Sequence, residues 1–164
     1  MNQNELTNKL KKWMTEFVEV PNPKLNNWPV CPYARHARVN NLMEVKFSEI
    51  AAFDFVLQES MEILNHKDVV VICFDHTQIN PAVLQEWVQK TNEKIMQDNF
   101  VILEDHPDSP EYINGVHMNF GECGLLIMSK LDKLNAASDS IRAKGYYDVW
   151  TQKDLDEVVT WRYK

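Results

Sequence analysis

The stretch Asp68-Val69-Val70-Val71-Ile72-Cys73-Phe74-Asp75 decides the fold of this chain. Its apolar run from Val69 to Phe74 is continuous and rich in β-branched residues, which is typical of a central strand covered on both faces. Because successive side chains of a strand point to opposite faces, we expect two buried sets. The sets are Val70 with Ile72 on one face, and Val69, Val71 and Cys73 on the other.

Strand and helix patterns alternate along the chain on both sides of this run. The other predicted strands cover 43–47, 100–103 and 125–128, and the internal helices cover about 49–65, 81–97 and 130–144. Amphipathic helices are predicted over about 4–19 and about 152–162. The alternation predicts a single α/β domain over residues 1–164, a sandwich of about four mainly parallel strands with flanking helices. A ferredoxin-like sandwich is the alternative.

Composition excludes several classes of function. The net charge of −7 argues against a protein that binds nucleic acid through the phosphate backbone. The longest apolar run, Val69 to Phe74, is far too short to cross a membrane. The polar start of the chain predicts no secretory signal, and an odd number of cysteines, three, predicts a reducing cytoplasm.

The segment 28–38, Trp-Pro-Val-Cys-Pro-Tyr-Ala-Arg-His-Ala-Arg, concentrates reactive side chains. Pro32 suits the first position of a helix, which would place Cys31 at a helix N-terminus. Arg35 and Arg38 add positive charge nearby. These features predict a reactive thiolate at Cys31 with a lowered pKa. The alternative is a free cysteine used as a small buried apolar residue.

A second polar stretch, 104–122, is long for a loop within one domain, which favours a functional role. Nucleophilic catalysis would use Cys31 as the nucleophile, His106 as the base and Asp108 or Asp105 to orient it. This hypothesis requires Cys31 and His106 to face one pocket.

Metal binding and substrate binding are further hypotheses for the same region. Thiolates and imidazoles are ligands of zinc, although their spacing here matches no known finger pattern. The candidate ligands are His36, His117 and Cys123, with Cys31 and His106 as further donors. Arg35, Arg38 and His76 are candidate substrate-binding residues, because His76 follows the central strand where α/β folds place their sites. The alternative for His76 is a solvated loop residue.

Two motifs resemble those of an uncharacterised family of bacterial proteins of similar length. Val30-Cys31-Pro32-Tyr33-Ala34 is similar to the Leu-Cys-Pro-Phe-Ala segment of that family, which also follows an amphipathic helix. His106-Pro107-Asp108 is similar to its later His-Pro-x-Tyr loop, with Ser109 in the place of Tyr. The resemblance implies a shared fold and a shared site rather than a particular reaction.

Two classes of function therefore stay open at this point. The first is a small enzyme or metal-binding protein, with a site between the Cys31 segment and the 104–122 loop that takes a small molecule. The second is a non-catalytic module that binds a protein partner through an acidic or aromatic surface. An exposed patch would favour the second, and a shared pocket for Cys31 and His106 would favour the first.

Overall fold

A computed structural model describes residues 1–164 and shows a four-stranded sheet with flanking helices. The order of the strands across the sheet is β1-β2-β6-β3, and a separate hairpin holds β4 and β5. The strands are β1 Met43–Phe47, β2 Val69–Phe74, β3 Phe100–Asp105, β4 Tyr112–Ile113, β5 Val116–His117 and β6 Gly124–Lys130.

The chain forms six α-helices, and several continue as short 3-10 or π turns. The helices are α1 Gln3–Trp13, α2 Ala34–Val39, α3 Phe53–Ile63, α4 Pro81–Ile95, α5 Leu131–Ala143 and α6 Gln152–Val158. The predicted N-terminal helix consists of α1 and a π turn, Met14–Val18, and the predicted C-terminal helix consists of α6 and a 3-10 turn, Thr160–Tyr163. None of these helices has the length and apolar character that crossing a bilayer requires.

The central strand β2 lies inside the sheet, as predicted. Val70 and Ile72 belong to one apolar cluster, which α3 and α4 cover. Val71 and Cys73 belong to a second cluster on the opposite face, which α1 covers. The continuous apolar run of β2 is therefore explained by burial on both faces.

The α/β class is confirmed, and the sheet is mixed rather than mainly parallel. β1 pairs with β2 in parallel, whereas β6 pairs antiparallel with both β2 and β3. Thus β1, β2 and β3 run in one direction, and β6 lies between β2 and β3 and runs in the opposite direction. The reason is that no crossover helix joins β3 to β6, since the loop between them turns the chain back at the same edge. β1 and β2 are joined through α3 and lie side by side, unlike the split unit of a ferredoxin-like sandwich.

The free edge of β3 is covered by one side chain from α4. The Oδ1 of Asn92 accepts from the N–H of Ile102, and its Nδ2 donates to the carbonyl of Ile102, both at 2.9 Å. Asn92 is 4% exposed and Ile102 is fully buried. The amide thus pairs with β3 as a neighbouring strand would, and it leaves that position closed to another chain.

Asn92→Ala is expected to destabilise the protein by about 2–4 kcal/mol, because it leaves a buried N–H and a buried carbonyl unpaired. Gln89→Ala on the exposed side of α4 is the matched control, and we expect a change in unfolding free energy of about 0.5 kcal/mol or less. Urea unfolding followed by circular dichroism measures both. Equal stability of the two variants would show that the Asn92 amide does not pair with β3.

Gly124 begins β6 directly opposite Phe74 in the ladder. A Cβ at position 124 would lie 2.2 Å from the ring of Phe74. This ring is fully buried and packs edge-on against Phe53, with 5.2 Å between ring centroids. The absence of a side chain at position 124 therefore lets the ring lie across β6.

Gly124→Ala is expected to cost about 1–3 kcal/mol of unfolding free energy, because the added methyl group displaces a fully buried ring. Phe74→Leu removes the ring, so Gly124→Ala should cost less in that background. A double-mutant cycle by thermal unfolding checks this. Additive effects of the two substitutions would contradict the proposed contact.

Candidate functional site

The carboxyl ends of β1, β2 and β3 lie at one edge of the sheet, where the polar loops emerge. Asp75 follows β2 and begins a 3-10 turn, and its Oδ1 accepts from the N–H of Thr77 at 3.0 Å. His106 follows β3 at the same edge, and its ring meets that of His76 edge-on with 5.6 Å between centroids. The structure therefore brings together His76 and His106, two of the site residues that the sequence predicted.

Both ring nitrogens of His106 are bound to the backbone. Its Nε2 lies 2.8 Å from the carbonyl oxygen of Ile79, and its Nδ1 lies 3.0 Å from the backbone nitrogen of Asp108. A carbonyl only accepts and a backbone N–H only donates, so the proton is on Nε2 and the ring is neutral. His106 is 3% exposed. Neither nitrogen is free to accept a proton from a nucleophile in this arrangement.

Asp108 does not orient the imidazole through its carboxylate, contrary to the sequence-based assignment. Its contact with His106 is through the backbone N–H. The carboxylate that organises the loop is Asp105, which accepts from the N–H of Phe120 at 3.0 Å and from Nδ2 of Asn119 at 2.9 Å. Burial raises the pKa of Asp105, and these two hydrogen bonds act in the opposite direction.

The predicted Cys31–His106 pair is not formed. The N–H of Cys31 donates to the carbonyl of Val18 at 3.2 Å, at the end of the π turn. Its segment packs through Ala34 on the face covered by α1, whereas Ile79, the partner of His106, packs on the opposite face. No hydrogen bond joins the two side chains, so the structure does not support the catalytic pair.

The pKa of Cys31 also shifts against expectation. Cys31 lies ahead of α2, whose first residue is Ala34, rather than at its start. Desolvation by the surrounding protein raises the pKa of this thiol, although hydrogen bonds from the backbone of Tyr33 and Ala34 act to lower it. Cys31 is an exposed residue, and the direction of this pKa shift is opposite to the predicted one. The reactivity of Cys31 therefore stays a prediction that the structure does not support.

Arg38 is occupied by an ion pair within the protein. Its Nε and Nη2 donate to the two carboxylate oxygens of Glu19 at 2.7 and 2.8 Å. The side chain of Glu19 is only 5% exposed, so this bidentate pair fastens α2 to the end of the π turn. Arg35 and His36 lie exposed on α2, and Nδ1 of His36 contacts the amide of Asn40 at 3.2 Å.

The predicted zinc ligands do not assemble. His117 is exposed in the β4–β5 hairpin, where its ring packs against Tyr112 with 5.1 Å between centroids. Cys123 is buried beneath α1 beside Cys73. No three histidine, cysteine or acidic side chains form a group that could hold a metal ion. His36, His117 and Cys123 therefore have separate surroundings.

A large concave surface lies elsewhere, between α4, the end of β3, the 109–113 loop and α6. This acidic groove has a volume of about 1460 Å³. Its floor includes Leu84, Asn92 and His106. Its acidic residues outnumber its two lysines, Lys153 and Lys164. The acidic residues are Glu93, Glu104, Glu111, Asp154, Asp156 and Glu157.

Desolvation and neighbouring carboxylates raise the pKa of Glu111, one of the acidic residues of the groove. Desolvation, followed by the negative charges of Asp105, Glu104 and Glu157, raises the pKa of Glu111 to about 7. Desolvation also raises the pKa of Glu104. A cation in the groove would reduce this repulsion. The negative charge of the groove therefore favours the binding of a positively charged group.

Two features that position the groove were absent from the sequence-based site. Asn119 is 5% exposed, and its Oδ1 accepts from the N–H of Glu111 at 2.7 Å. The hairpin turns at Asn114-Gly115, whose φ angles of 47° and 79° are those of a type I′ turn. The Asn-Gly dipeptide is a sequence signal for a hairpin turn. No sequence pattern indicates the hydrogen bond between Asn119 and Glu111.

No protein-family model, curated protein or solved structure matches this chain. The resemblance to the bacterial family therefore stays a prediction. Any functional conclusion depends on the geometry of the groove and the loops around it.

We expect Glu111 to make the protein less stable as the pH rises. Because its folded-state pKa, about 7, lies above the ordinary value of 4.5, its contribution to stability is complete below pH 4.5 and is lost as the pH rises through about 7. Glu111→Gln should therefore weaken the decline in unfolding free energy between pH 5 and pH 8. Urea unfolding at several pH values measures the slope.

The control is Glu62→Gln, on the exposed side of α3. It should leave the pH dependence of wild type unchanged. If Glu111→Gln also leaves the slope unchanged, the proposed crowding of carboxylates around Glu111 is absent.

Proposed function

We propose that this protein is a non-catalytic binding module that holds a basic segment of a protein partner in the acidic groove. The observation that carries the proposal is the set of six acidic residues that line the groove, against two lysines. Binding a lysine or arginine there would relieve existing repulsion as well as add attraction.

The shape and the aromatic content of the groove favour an extended peptide over a small molecule. The groove is open to solvent, and residues of α4 and α6 line it. Tyr112 is 58% exposed at one end, and Trp161 lines the same groove. Aromatic faces beside carboxylates suit the stems and charges of arginine and lysine side chains.

The enzymatic hypothesis has less support from the same geometry. Both nitrogens of His106 are engaged with the backbone, and no hydrogen bond joins its ring to Cys31. The net charge of −7 favours a basic protein segment over nucleic acid as the partner. We place this binding activity in the cytoplasm, which suits the three free cysteines.

Binding of a short fluorescein-labelled peptide of alternating arginine and serine tests the proposal. The double variant Glu111→Gln/Glu157→Gln should bind this peptide about three- to tenfold more weakly than wild type, because each exposed charge pair contributes about 0.2–1 kcal/mol. Fluorescence anisotropy at low and at physiological salt measures the affinity. Added salt should weaken binding to wild type more than to the variant.

The matched control is Glu16→Gln/Glu62→Gln, which changes the net charge equally outside the groove. It should retain the affinity of wild type. If the two double variants lose affinity equally, the peptide responds to net charge alone and the groove is not the binding site.

A further inference from the structure

β1 is an edge strand that has a partner on one side only. It pairs with β2, whereas β2 and β6 each have a neighbour on both sides. The N–H of Ser48, the residue after β1, donates to the carbonyl of Cys73 at 3.0 Å. The carbonyl of Leu42, the residue before β1, accepts from the N–H of Val69 at 3.2 Å. Because alternate residues of a strand direct their backbone groups to the same neighbour, the even-numbered residues of β1 bond to β2.

Three N–H groups and three carbonyls of β1 therefore point away from the sheet. They belong to Met43, Val45 and Phe47, and no turn, loop or cap of the backbone bonds to them. Every residue of β1 is half-buried, so the strand reaches the surface. The other edge of the sheet differs, because Asn92 bonds to both backbone groups of Ile102 in β3. β1 is thus the open edge of the sheet, and an open edge is a template for another strand.

We propose that β1 pairs antiparallel with β1 of a second copy of this chain, with Val45 of each copy at the two-fold axis. In this register the outward N–H and carbonyl of Val45 bond to those of Val45 in the second copy. Those of Met43 bond to those of Phe47 in the second copy, so all six outward groups of each strand are paired. The two four-stranded sheets then form one continuous sheet. β3 and the acidic groove lie at the far edge of each sheet and stay free.

The charges of β1 are complementary in this register. Because Glu44 and Lys46 flank Val45 symmetrically, each Glu44 lies opposite Lys46 of the second copy, at the positions where side chains of an antiparallel pair approach most closely. Within one copy, Nζ of Lys46 lies 3.3 Å from the carboxylate of Glu59, and Glu44 lies 4.0 Å from Nζ of Lys67. The side chain of Glu44 is 43% exposed, so it can also bind the second lysine.

The apolar side chains of β1 fit the same register. Met43 lies opposite Phe47 of the second copy, on the face whose cluster α1 covers. Centring the pair on Glu44 or on Lys46 instead would place like charges opposite each other. It would also align the backbone groups that already bond to β2, rather than the outward ones. The register centred on Val45 therefore satisfies the charges and the backbone together.

Reversal of single charges tests this register. Glu44→Lys places lysine opposite lysine, and Lys46→Glu places glutamate opposite glutamate, so each variant alone should dimerise at least about tenfold more weakly than wild type. An equimolar mixture of the two should form heterodimers about as well as wild type forms its dimer, because every lysine then faces a glutamate. Sedimentation velocity over a series of concentrations measures the association, and circular dichroism checks that each variant is folded.

Amide hydrogen exchange of wild type, followed by NMR, gives a second measurement that needs no variant. Raising the protein concentration should slow exchange at Met43, Val45 and Phe47, whose N–H groups are paired only in the dimer. Glu44 and Lys46 should change much less, since β2 already protects them. An equal change at all five amides would contradict the proposed pairing.

The matched controls are Asp98→Lys and Lys94→Glu, which make the same changes in charge at exposed positions near β3. They should dimerise as wild type does. The proposal fails if wild type stays a monomer up to about 1 mM, or if the controls weaken association as much as the β1 variants do. It also fails if the mixture of Glu44→Lys and Lys46→Glu, both folded, does not associate.

Discussion

The two-sided burial of β2 is the constraint on which the rest of the structure depends. A strand with apolar side chains on both faces requires a cover on each, and α3 and α4 supply one while α1 supplies the other. It also requires partners along both of its backbone edges, which β1 and β6 provide. The positions of the loops follow from these four contacts, because β1 and β2 end at the same edge and β6 begins there.

Buried side-chain amides form hydrogen bonds with backbone groups that the strands leave unpaired. Asn92 closes the outer side of β3, and Asn119 joins Asp105 to the backbone of Glu111. His106 acts in the same way, with each ring nitrogen bound to a backbone group. Polar side chains that resemble catalytic or solvated residues in the sequence therefore help to build the groove and the loop beside it. The acidic character of that rim comes from residues of β3, the loop and α6 that meet only in the folded chain.

Local patterns predicted much of the fold and little of the site. The apolar run of β2 and the helix predicted over about 81–97 depend on neighbouring residues, so the sequence predicted both. The place of β6 depends on pairing across the whole sheet, which periodicity does not report. The direction of the Cys31 pKa shift depends on the protein that surrounds the thiol, whereas the sequence showed only its charged neighbours. Glu111 and Glu157 are far apart along the chain, so no motif joined them.

The reversed strand in the middle of the sheet has a consequence for the newly made chain. β2 and β3 leave the ribosome before β6, the strand that lies between them. At ordinary rates of synthesis, the stretch from 106 to 130 takes about 1–5 s to make. During that interval one backbone edge of the most apolar strand has no partner, and the sheet cannot be completed. The nascent chain, rather than the finished protein, is therefore the state most exposed to misassociation and most in need of a chaperone.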